Sequence, residues 1–217
     1  MITLCMYGSP IIRVESTKFL GVFIDEKLTW KTHINHIKLK VSRGLGVMSR
    51  VRNILSSIIL IKLYHTLIYP HFVYCIIAWG SAKPTLLNKL FILQKRAVRL
   101  CTGSGFRTSS NPLFTKLHLL KIGDIYNLYT TMFMFQLKCN TLPNSCLNLV
   151  SLANKDNVYN TRYSGYFKIE NFRTRAREMY LAVRGPKLWD SLPLQIQTSA
   201  NIGLFKKATV GYYLSCY

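Results

Sequence analysis

The chain has 217 residues, of which 49% are hydrophobic, so it can bury a substantial core, and its composition excludes an intrinsically disordered tail. Lysine and arginine number 29 against 8 aspartate and glutamate, which gives a net charge of +21. So few acids argue against a self-sufficient metal-dependent phosphoryl transferase, because such enzymes hold magnesium with clustered carboxylates.

The N-terminal part has the composition of short β-strands. Residues 2 to 24 read as ITLCMY, a turn at Gly8, Ser9 and Pro10, then IIRV and KFLGVFI. Up to Lys27, the cations Arg13, Lys18 and Lys27 are matched by Glu15, Asp25 and Glu26, so the excess positive charge begins with the helices that follow.

The stretch from Lys18 to Lys40 contains an acidic pair and two histidines, which raises the question of a metal site. Asp25 and Glu26 are neighbours, and neighbouring side chains leave an extended chain by opposite faces. His33 and His36 can share a helix face, but no third ligand lies at helical spacing beside them. A strand, a loop and the start of a helix therefore explain the stretch better than a metal does.

A long amphipathic helix is predicted from about Lys31 to Ile54, with Thr29 or Thr32 as its N-cap. The apolar positions recur at helical spacing and are Ile34, Ile37, Val41, Leu45 and Met48. The cations that point largely the other way are Lys31, Lys38, Arg43 and Arg50.

No carboxylate occurs between Glu26 and Asp124, although this interval contains sixteen lysine or arginine residues. A surface of one sign stores electrostatic repulsion that a polyanion relieves, and the commonest polyanion is nucleic acid. The alternative is that the charge only keeps the protein soluble.

The apolar run from Ser56 to Gly80 is predicted to form core helices, one over Ser56 to Tyr69 and another from Pro70 to about Trp79. Charged or helix-limiting residues keep its apolar pieces shorter than a membrane span needs, and these are Lys62, His65, Pro70 and His71. A membrane-surface or protein-interaction module built on this run is the alternative.

Further helices are predicted over Pro84 to Cys101, Pro112 to Leu120 and Ile122 to Leu137. The TGSG stretch from Thr102 to Gly105 lacks the Gly-Lys-Ser/Thr of a P-loop, so it is interpreted as a turn that ends a helix. On the first of these helices, the candidate phosphate contacts are Lys89, Arg96 and Arg99.

The polar stretch from Asn140 to Arg162 is the best candidate for a domain boundary. Beyond it, tyrosine and phenylalanine alternate with arginine, which suggests short strands or a helix with a basic, aromatic face. Its candidate nucleic-acid contacts are Arg173, Arg175 and Arg177. An arginine-rich surface over an aromatic core explains the pattern almost equally well.

The six cysteines contain no C-x-x-C pair, and the N-terminus has no secretory signal. Free thiols in a reducing compartment are expected, and the protein is expected to be intracellular, either nuclear or cytoplasmic, and not secreted. A further alternative is a metal-free hydrolase or nuclease in which a histidine is the general base. The candidates for that role are His33, His36, His65, His71 and His118.

Five motifs occur in a distinctive order: FLGVFIDEKLTWKTHI, YPHFVYCIIAWG, LQKRAVRL, RGPKLWDS with LPLQI, and FKK. In this order they resemble the C-terminal part of reverse transcriptases from jockey-type non-LTR retrotransposons, over about Lys18 to Lys207. Two departures are Cys75, where that family often has glycine, and Asp190, where it often has asparagine. We interpret both as packing or contact positions.

The resemblance implies a mainly α fold in three parts. Residues 1–30 would be short β-strands from the end of a palm, residues 31–139 a helical thumb-like bundle, and residues 140–217 a mixed α/β basic region after the thumb. The catalytic aspartates of that family lie upstream of these motifs, so the chain is expected to be a fragment, with Met1 an internal methionine, and to be inactive alone.

The resemblance also implies the partners. RNA and DNA in a primer-template duplex, gripped without sequence preference, would bind the basic surface, and the missing palm and fingers would be the protein partner. We expect no catalytic residue, no metal, no small-molecule ligand and no cofactor in this chain, with Mg²⁺ bound only in the missing palm. A fragment without its palm is also expected to expose apolar surface and to aggregate in part.

Overall fold

The computed structural model of the chain describes residues 5–6, 9–10, 13–152 and 166–217, and at 5–6, 9–10 and 175–176 it describes the backbone alone. The strands are β1 (Cys5–Met6), β2 (Ser9–Pro10), β3 (Ser16–Phe19) and β4 (Val22–Asp25). The first seven helices are α1 (Lys31–Val51), α2 (Ser57–Leu67), α3 (Tyr69–Val73), α4 (Ile76–Trp79), α5 (Pro84–Thr102), α6 (Asn111–Lys116) and α7 (Ile122–Lys138). The remaining helices are α8 (Asn144–Leu147), α9 (Arg175–Glu178), α10 (Leu181–Asp190), α11 (Leu194–Gln197) and α12 (Ile202–Ser215).

Helices dominate the described residues, which confirms the prediction of a mainly α fold. The strands form two separate antiparallel hairpins, β1–β2 and β3–β4. In the first hairpin Ser9 and Pro10 pair with Met6 and Cys5, so the prediction that they form a turn is wrong. Gly8 and the outer residues of ITLCMY and IIRV lie outside the described residues.

The KFLGVFI stretch is a hairpin and not the single strand that was predicted. Phe19 pairs with Val22, and the two residues between them, Leu20 and Gly21, have φ angles of 45° and 84°. Positive φ at both central positions matches the tight turns whose twist fits a two-stranded ribbon. Because glycine adopts positive φ at little cost, the Leu-Gly pair sets the register of β3 against β4.

Helices α1, α2 and α5 pack side by side as a bundle. Their boundaries lie within three residues of the predicted ones, because each helix carries a strong apolar stripe. As predicted, Gly103 ends α5 in the left-handed conformation, and the Ser104 N–H donates to the Arg99 carbonyl at 3.0 Å.

The predicted helix from Pro70 to Trp79 is broken into α3 and α4. Helix α3 ends before Tyr74, which leaves the helical region with ψ 117°, and Cys75 follows in the left-handed conformation, with φ 51°, as the N-cap residue of α4. The freed carbonyl of Tyr74 accepts a hydrogen bond from Trp79 Nε1 at 2.8 Å. Because its side chain is exposed, Cys75 is not a packing position, and its backbone conformation is one that a glycine would favour. A contact role for Cys75 stays a prediction.

Helix α7 lies against both halves of the chain. It contacts α3, α4 and α5 on one side and α10 and α12 on the other. Three stacked rings join the second set, with Phe205 4.7 Å from Phe135 and 5.9 Å from Trp189 between ring centroids. One hydrophobic core thus extends across the predicted boundary that begins at Asn140.

Buried Gln94 of α5 fixes the start of α7. Its Nε2 donates to the Tyr64 hydroxyl at 3.0 Å and to the Leu120 carbonyl at 2.8 Å. Its Oε1 accepts from the Ile122 N–H at 2.9 Å, which is an N-terminal N–H of α7 without a partner inside that helix. Three elements are therefore joined through one fully buried amide.

The C-terminal region is helical where it is described. Helices α9 to α12 and an isolated bridge between Leu152 and Phe167 take the place of the strands in the predicted mixed α/β region. The physical reason is that the buried aromatic residues form one cluster and do not alternate between two faces of a strand: Phe167 and Phe205 pack on Trp189, and Phe205 also packs on α7. Residues 153–165, which include Arg162, lie outside the described residues.

Candidate nucleic-acid interface

Four residues of α1 form one stripe along the helix. His36, Lys40, Arg43 and Arg50 follow one another at spacings of four, three and seven residues, which places them on one side of an α-helix. All but His36 are exposed, and the opposite side of α1 carries Ile34 and the rest of the apolar core. The prediction that Arg43 and Arg50 point away from the core is confirmed.

The β3–β4 hairpin and α3 bring more basic groups to this stripe. Lys18 faces Phe23 across the hairpin, with its Nζ 5.9 Å from the ring centroid. The Phe23 ring lies 4.9 Å from the His36 ring on α1, so the hairpin and the helix meet at this point. His71 of α3 is close enough to Lys40 and His36 to feel their charge. We call Lys18, His36, Lys40, Arg43 and His71 the cationic cluster.

The pKa values of His36 and His71 are lowered in part by the positive charges of the cationic cluster. Burial lowers the pKa of His36, and the charges of Lys40, Lys18 and Arg43 lower it further. Burial likewise lowers the pKa of His71, with additional contributions from Lys40 and His36. Burial and the nearby cations, which come from β3 and α1, therefore both disfavour the charged form of these imidazoles.

The cationic cluster has no internal counter-ion. The ion pairs of the described residues join Arg13 to Glu26, Arg177 to Glu170 and Lys187 to Glu178. None of the cations between residues 27 and 121 has a carboxylate within ion-pair distance in the parts of the chain that the structure describes. The charge of this surface is free to attract an external anion.

Lys38 lies apart from the cationic cluster. It is five residues from Arg43, which corresponds to roughly 140° around an α-helix. Lys38 shares its edge of α1 with Lys31, and both are exposed. The structure therefore divides the three predicted contacts of α1 between two edges and adds Lys40 to the edge of Arg43 and Arg50.

On α5, the three predicted contacts form a second stripe. Lys89, Arg96 and Arg99 are spaced by seven and three residues and lie away from the buried side of the helix. Lys89 and Arg96 are exposed, whereas Arg99 is half-buried and its Nε donates to the Thr108 carbonyl at 2.9 Å. Arg99 thus has a structural bond in addition to any external contact.

The three predicted contacts of the C-terminal region differ in their surroundings. Arg173 is exposed and lines a cavity, while Arg177 forms an ion pair of 3.0 Å with Glu170. The side chain of Arg175 lies outside the described residues.

Asp25, one of the residues considered as a metal ligand, organises the turn before α1. The Asp25 carboxylate accepts the backbone N–H groups of Thr29 at 2.8 Å and Trp30 at 2.7 Å. Burial raises the pKa of Asp25, but these hydrogen bonds outweigh it, so the net shift is downward. The N-cap residue of α1 is Trp30 and neither Thr29 nor Thr32. Thr29 still accepts the Lys31 N–H at its Oγ1, at 3.4 Å.

His33 is a core residue. The Phe23 N–H donates to its Nδ1 at 3.4 Å, and its ring packs edge-on against Trp79. Burial, and then the neighbouring His36, lower the pKa of His33 to about 4. Within the described ranges, no group of three or more His, Cys, Asp or Glu side chains is arranged to hold a metal ion.

The two histidines outside the cationic cluster and the core, His65 and His118, lie in different places. His65 packs against the rings of Tyr64 and Tyr69, and burial lowers its pKa. His118 is exposed in a turn with φ 50°. A general-base role for a histidine stays a hypothesis.

For the membrane alternative, none of the described helices combines the length and the apolar character needed to cross a bilayer.

Comparison with curated proteins finds RNA-directed DNA polymerases of mobile elements. The chain is 30% identical over 120 residues, 54% of its length, to the polymerase from mobile element jockey of Drosophila funebris. It is 29% identical over 149 residues, 67% of its length, to the jockey polymerase of Drosophila melanogaster. A probable polymerase from the transposon X-element of Drosophila melanogaster is 25% identical over 128 residues.

The chain is related to the reverse transcriptases of non-LTR mobile elements. This confirms the resemblance inferred from the five motifs. The matched part of the chain spans only 13 to 16% of the length of these three polymerases. No family profile matches it, and no solved structure matches it.

Proposed function

We propose that this chain binds the phosphate backbone of a nucleic acid through the cationic cluster, as the thumb-like part of an RNA-directed DNA polymerase. In this role it grips a primer-template duplex whose sequence changes as synthesis proceeds. The bound surface must therefore contact phosphates rather than base edges. The chain by itself does not polymerise, because the family's catalytic aspartates are not among its motifs.

The observation that carries the proposal is the convergence of Lys18, Lys40 and Arg43 without a carboxylate among them. These cations lie on a hairpin and a helix whose relative position is fixed by the contact between Phe23 and His36. A rigid group of like charges keeps a positive potential that salt or a polyanion must neutralise. Phosphates spaced along a strand fit that requirement, and their neutralisation releases counter-ions.

The stripe of Lys89, Arg96 and Arg99 on α5 and the exposed Lys38 and Arg50 on α1 are proposed as further contacts to the same strand or duplex. Arg173 and Arg177 are kept as additional contacts. These positions are supported by exposure and charge alone, so the cationic cluster is the first target for experiment.

The test is fluorescence anisotropy of the full chain with labelled 20-base-pair duplexes, measured at several salt concentrations. We expect an RNA–DNA hybrid and two DNA duplexes of unrelated sequence to bind with similar affinity. The logarithm of the affinity should fall linearly with the logarithm of salt concentration. Affinity that is unchanged between 50 and 200 mM salt would contradict the proposal, and so would a hundredfold preference for one sequence.

A primer-extension assay tests the second part of the proposal. The chain alone, with Mg²⁺, primer, template and nucleotides, is expected to yield no extended product. Extension above the level of a mock preparation would show that a catalytic site is present in the chain.

A further inference from the structure

A cavity of about 690 Å³ lies in the C-terminal region, on different elements from the cationic cluster. It is formed by the segment before α9, by the end of α9 and by α10. Its volume is within the range of pockets that hold small molecules.

The charge of the cavity is uneven. Arg173, Arg184 and Lys187 line it together with one acid, Glu178. Glu178 forms an ion pair with Lys187 at 3.3 Å, so it neutralises that lysine. Among the described residues, neither Arg173 nor Arg184 has a carboxylate within ion-pair distance. The lining therefore presents two arginines without a counter-ion.

Arg184 is held in place by contacts that leave most of its hydrogen-bonding capacity unused. Its Nη2 donates to Asn127 Oδ1 at 3.3 Å, and its guanidinium lies 5.1 Å from the Tyr126 ring centroid, so α7 orients it. Its Nη1 has only the sulfur of Met179, a weak acceptor, at 3.3 Å. Its Nε is buried and has no acceptor in the described parts of the chain.

A half-buried guanidinium with unpaired N–H groups raises the free energy of the folded protein, because it has lost its hydration without gaining hydrogen-bond partners. A bound anion would supply those partners. Its planar fork suits two oxygens of a phosphate better than a single-point acceptor. Thr174 also lines the cavity, and its Oγ1 accepts from the Arg177 N–H at 3.3 Å, which leaves its O–H available to donate.

The remaining lining consists of the apolar side chains of Phe172, Met179 and Leu188 and of Ser191, whose hydroxyl donates to the Leu188 carbonyl at 2.7 Å. Lys187 lies over the Phe172 ring at 4.2 Å, so the aromatic side chain and the cations adjoin each other. A lining of this kind fits a ligand in which an anionic group is joined to a flat, weakly polar group. We propose that this cavity binds the phosphate of a nucleotide, with Arg184 and Arg173 as its ligands.

The inference does not depend on nucleic-acid binding by the cationic cluster, and it replaces the expectation that the chain has no small-molecule ligand. The nucleotide can be free or can be the phosphorylated end of a strand. Both sources present the same phosphate chemistry, and the two arms of the experiment distinguish them.

The experiment is isothermal titration of the full chain with AMP, ATP, inorganic phosphate and adenosine. A second arm uses a 12-residue single strand with and without a 5′-phosphate. We expect AMP to bind at least tenfold more tightly than adenosine. A strand-end ligand would show the same tenfold preference for the 5′-phosphorylated strand, while a free nucleotide would show it for AMP alone.

Arg173→Gln is expected to weaken AMP binding at least tenfold without affecting folding, because Arg173 is exposed and forms no ion pair with any described residue. Arg184→Lys keeps the charge but removes the fork, and it should weaken AMP binding as well. The matched control Arg52→Gln removes an exposed arginine elsewhere and should leave AMP binding unchanged.

Equal affinity for AMP and adenosine would overturn the inference. So would full AMP affinity in Arg173→Gln, or the absence of binding by every phosphate-containing probe at millimolar concentration. The triple variant Lys18→Gln, Lys40→Gln, Arg43→Gln separates the two proposals: it should lose duplex binding and retain AMP binding. If duplex binding is absent in the wild type while AMP binds, the proposed function fails and the cavity inference stands.

Discussion

Replacing Gln94 with methionine should destabilise the protein by about 3 kcal/mol or more, because three buried groups lose a partner and each unpaired group costs roughly 1–3 kcal/mol. Methionine has a similar volume, so the cost of a cavity is small. The change removes both donors and the acceptor of the side chain. It leaves the Leu120 carbonyl, the Ile122 N–H and the Tyr64 hydroxyl without this partner in a region that is fully or almost fully buried.

The assay is urea unfolding followed by circular dichroism at 222 nm and by tryptophan fluorescence. Tyr64→Phe is the companion variant, because it removes only the hydroxyl that accepts from Gln94 and should cost about 1 kcal/mol. In the Tyr64→Phe background, Gln94→Met should cost less than in the wild type, since one of the stranded groups is already gone. A Gln94→Met protein within 1 kcal/mol of the wild type would refute the reasoning, as the amide would then not join α2, α5 and α7.

Three further predictions concern backbone strain and the histidines. Cys75→Gly should stabilise the protein by about 0.5–1 kcal/mol in urea unfolding. The gain arises because relief of the strain at the left-handed φ of 51° exceeds the extra conformational entropy that a glycine loses on folding. A destabilised variant would contradict this prediction. The free energy of unfolding should fall by about 2 to 3 kcal/mol as pH drops from 6.5 to 4, because His33 is protonated near pH 6.5 in the unfolded chain but only near pH 4 in the folded chain. His33→Phe should flatten this part of the curve of stability against pH. An unchanged curve in this variant would be evidence against a buried neutral imidazole. Duplex affinity should rise as pH falls from 7.5 to 6, by no more than about tenfold per pH unit for each proton taken up, because a bound phosphate would raise the lowered pKa values of His36 and His71. The double variant with glutamine at both positions should lose this rise in affinity. If the rise persisted in the double variant, the two histidines would not be its source.

The periodic elements of this fold are readable from the sequence. Helices α1 and α5 carry apolar stripes of about five turns, and both were predicted to within three residues at each end. The turn at Gly103 was also predictable, because glycine after a periodic segment favours a left-handed cap.

The break at Cys75 was not predictable from local pattern. A cysteine with positive φ has no compositional signal, and the helical periodicity continues on both sides of it. The glycine that related sequences often have at this position was the available clue. The interpretation of Cys75 as a packing or contact position did not consider its backbone conformation, which is one that a glycine would favour.

The candidate site shows the same limit. The spacing of His36, Lys40 and Arg43 on one helix was available in the sequence, but Lys40 was overlooked in favour of Lys38. The approach of Lys18 and His71 depends on how the hairpin and α3 pack on α1, which periodicity does not encode. Gln94 was likewise missed, because a polar residue within an amphipathic helix gives no sign of distant partners.

The most direct test of the account compares the salt dependence of duplex binding between two triple variants of equal net charge. The first replaces Lys18, Lys40 and Arg43 of the cationic cluster with glutamine. The matched control does the same at three exposed cations on other elements, Lys62, Lys83 and Lys116.

Each phosphate contact contributes about 0.9 to the slope of log affinity against log salt for duplex DNA, so the cluster variant should lose about 2.7 from the slope. Between 50 and 200 mM salt, its loss of affinity should be smaller than that of the wild type by a factor of roughly 40. The control should keep a slope close to the wild type. Equal slopes in the two variants would contradict the account, because the affinity would then depend on net charge and not on the place where hairpin and helix bring the cations together.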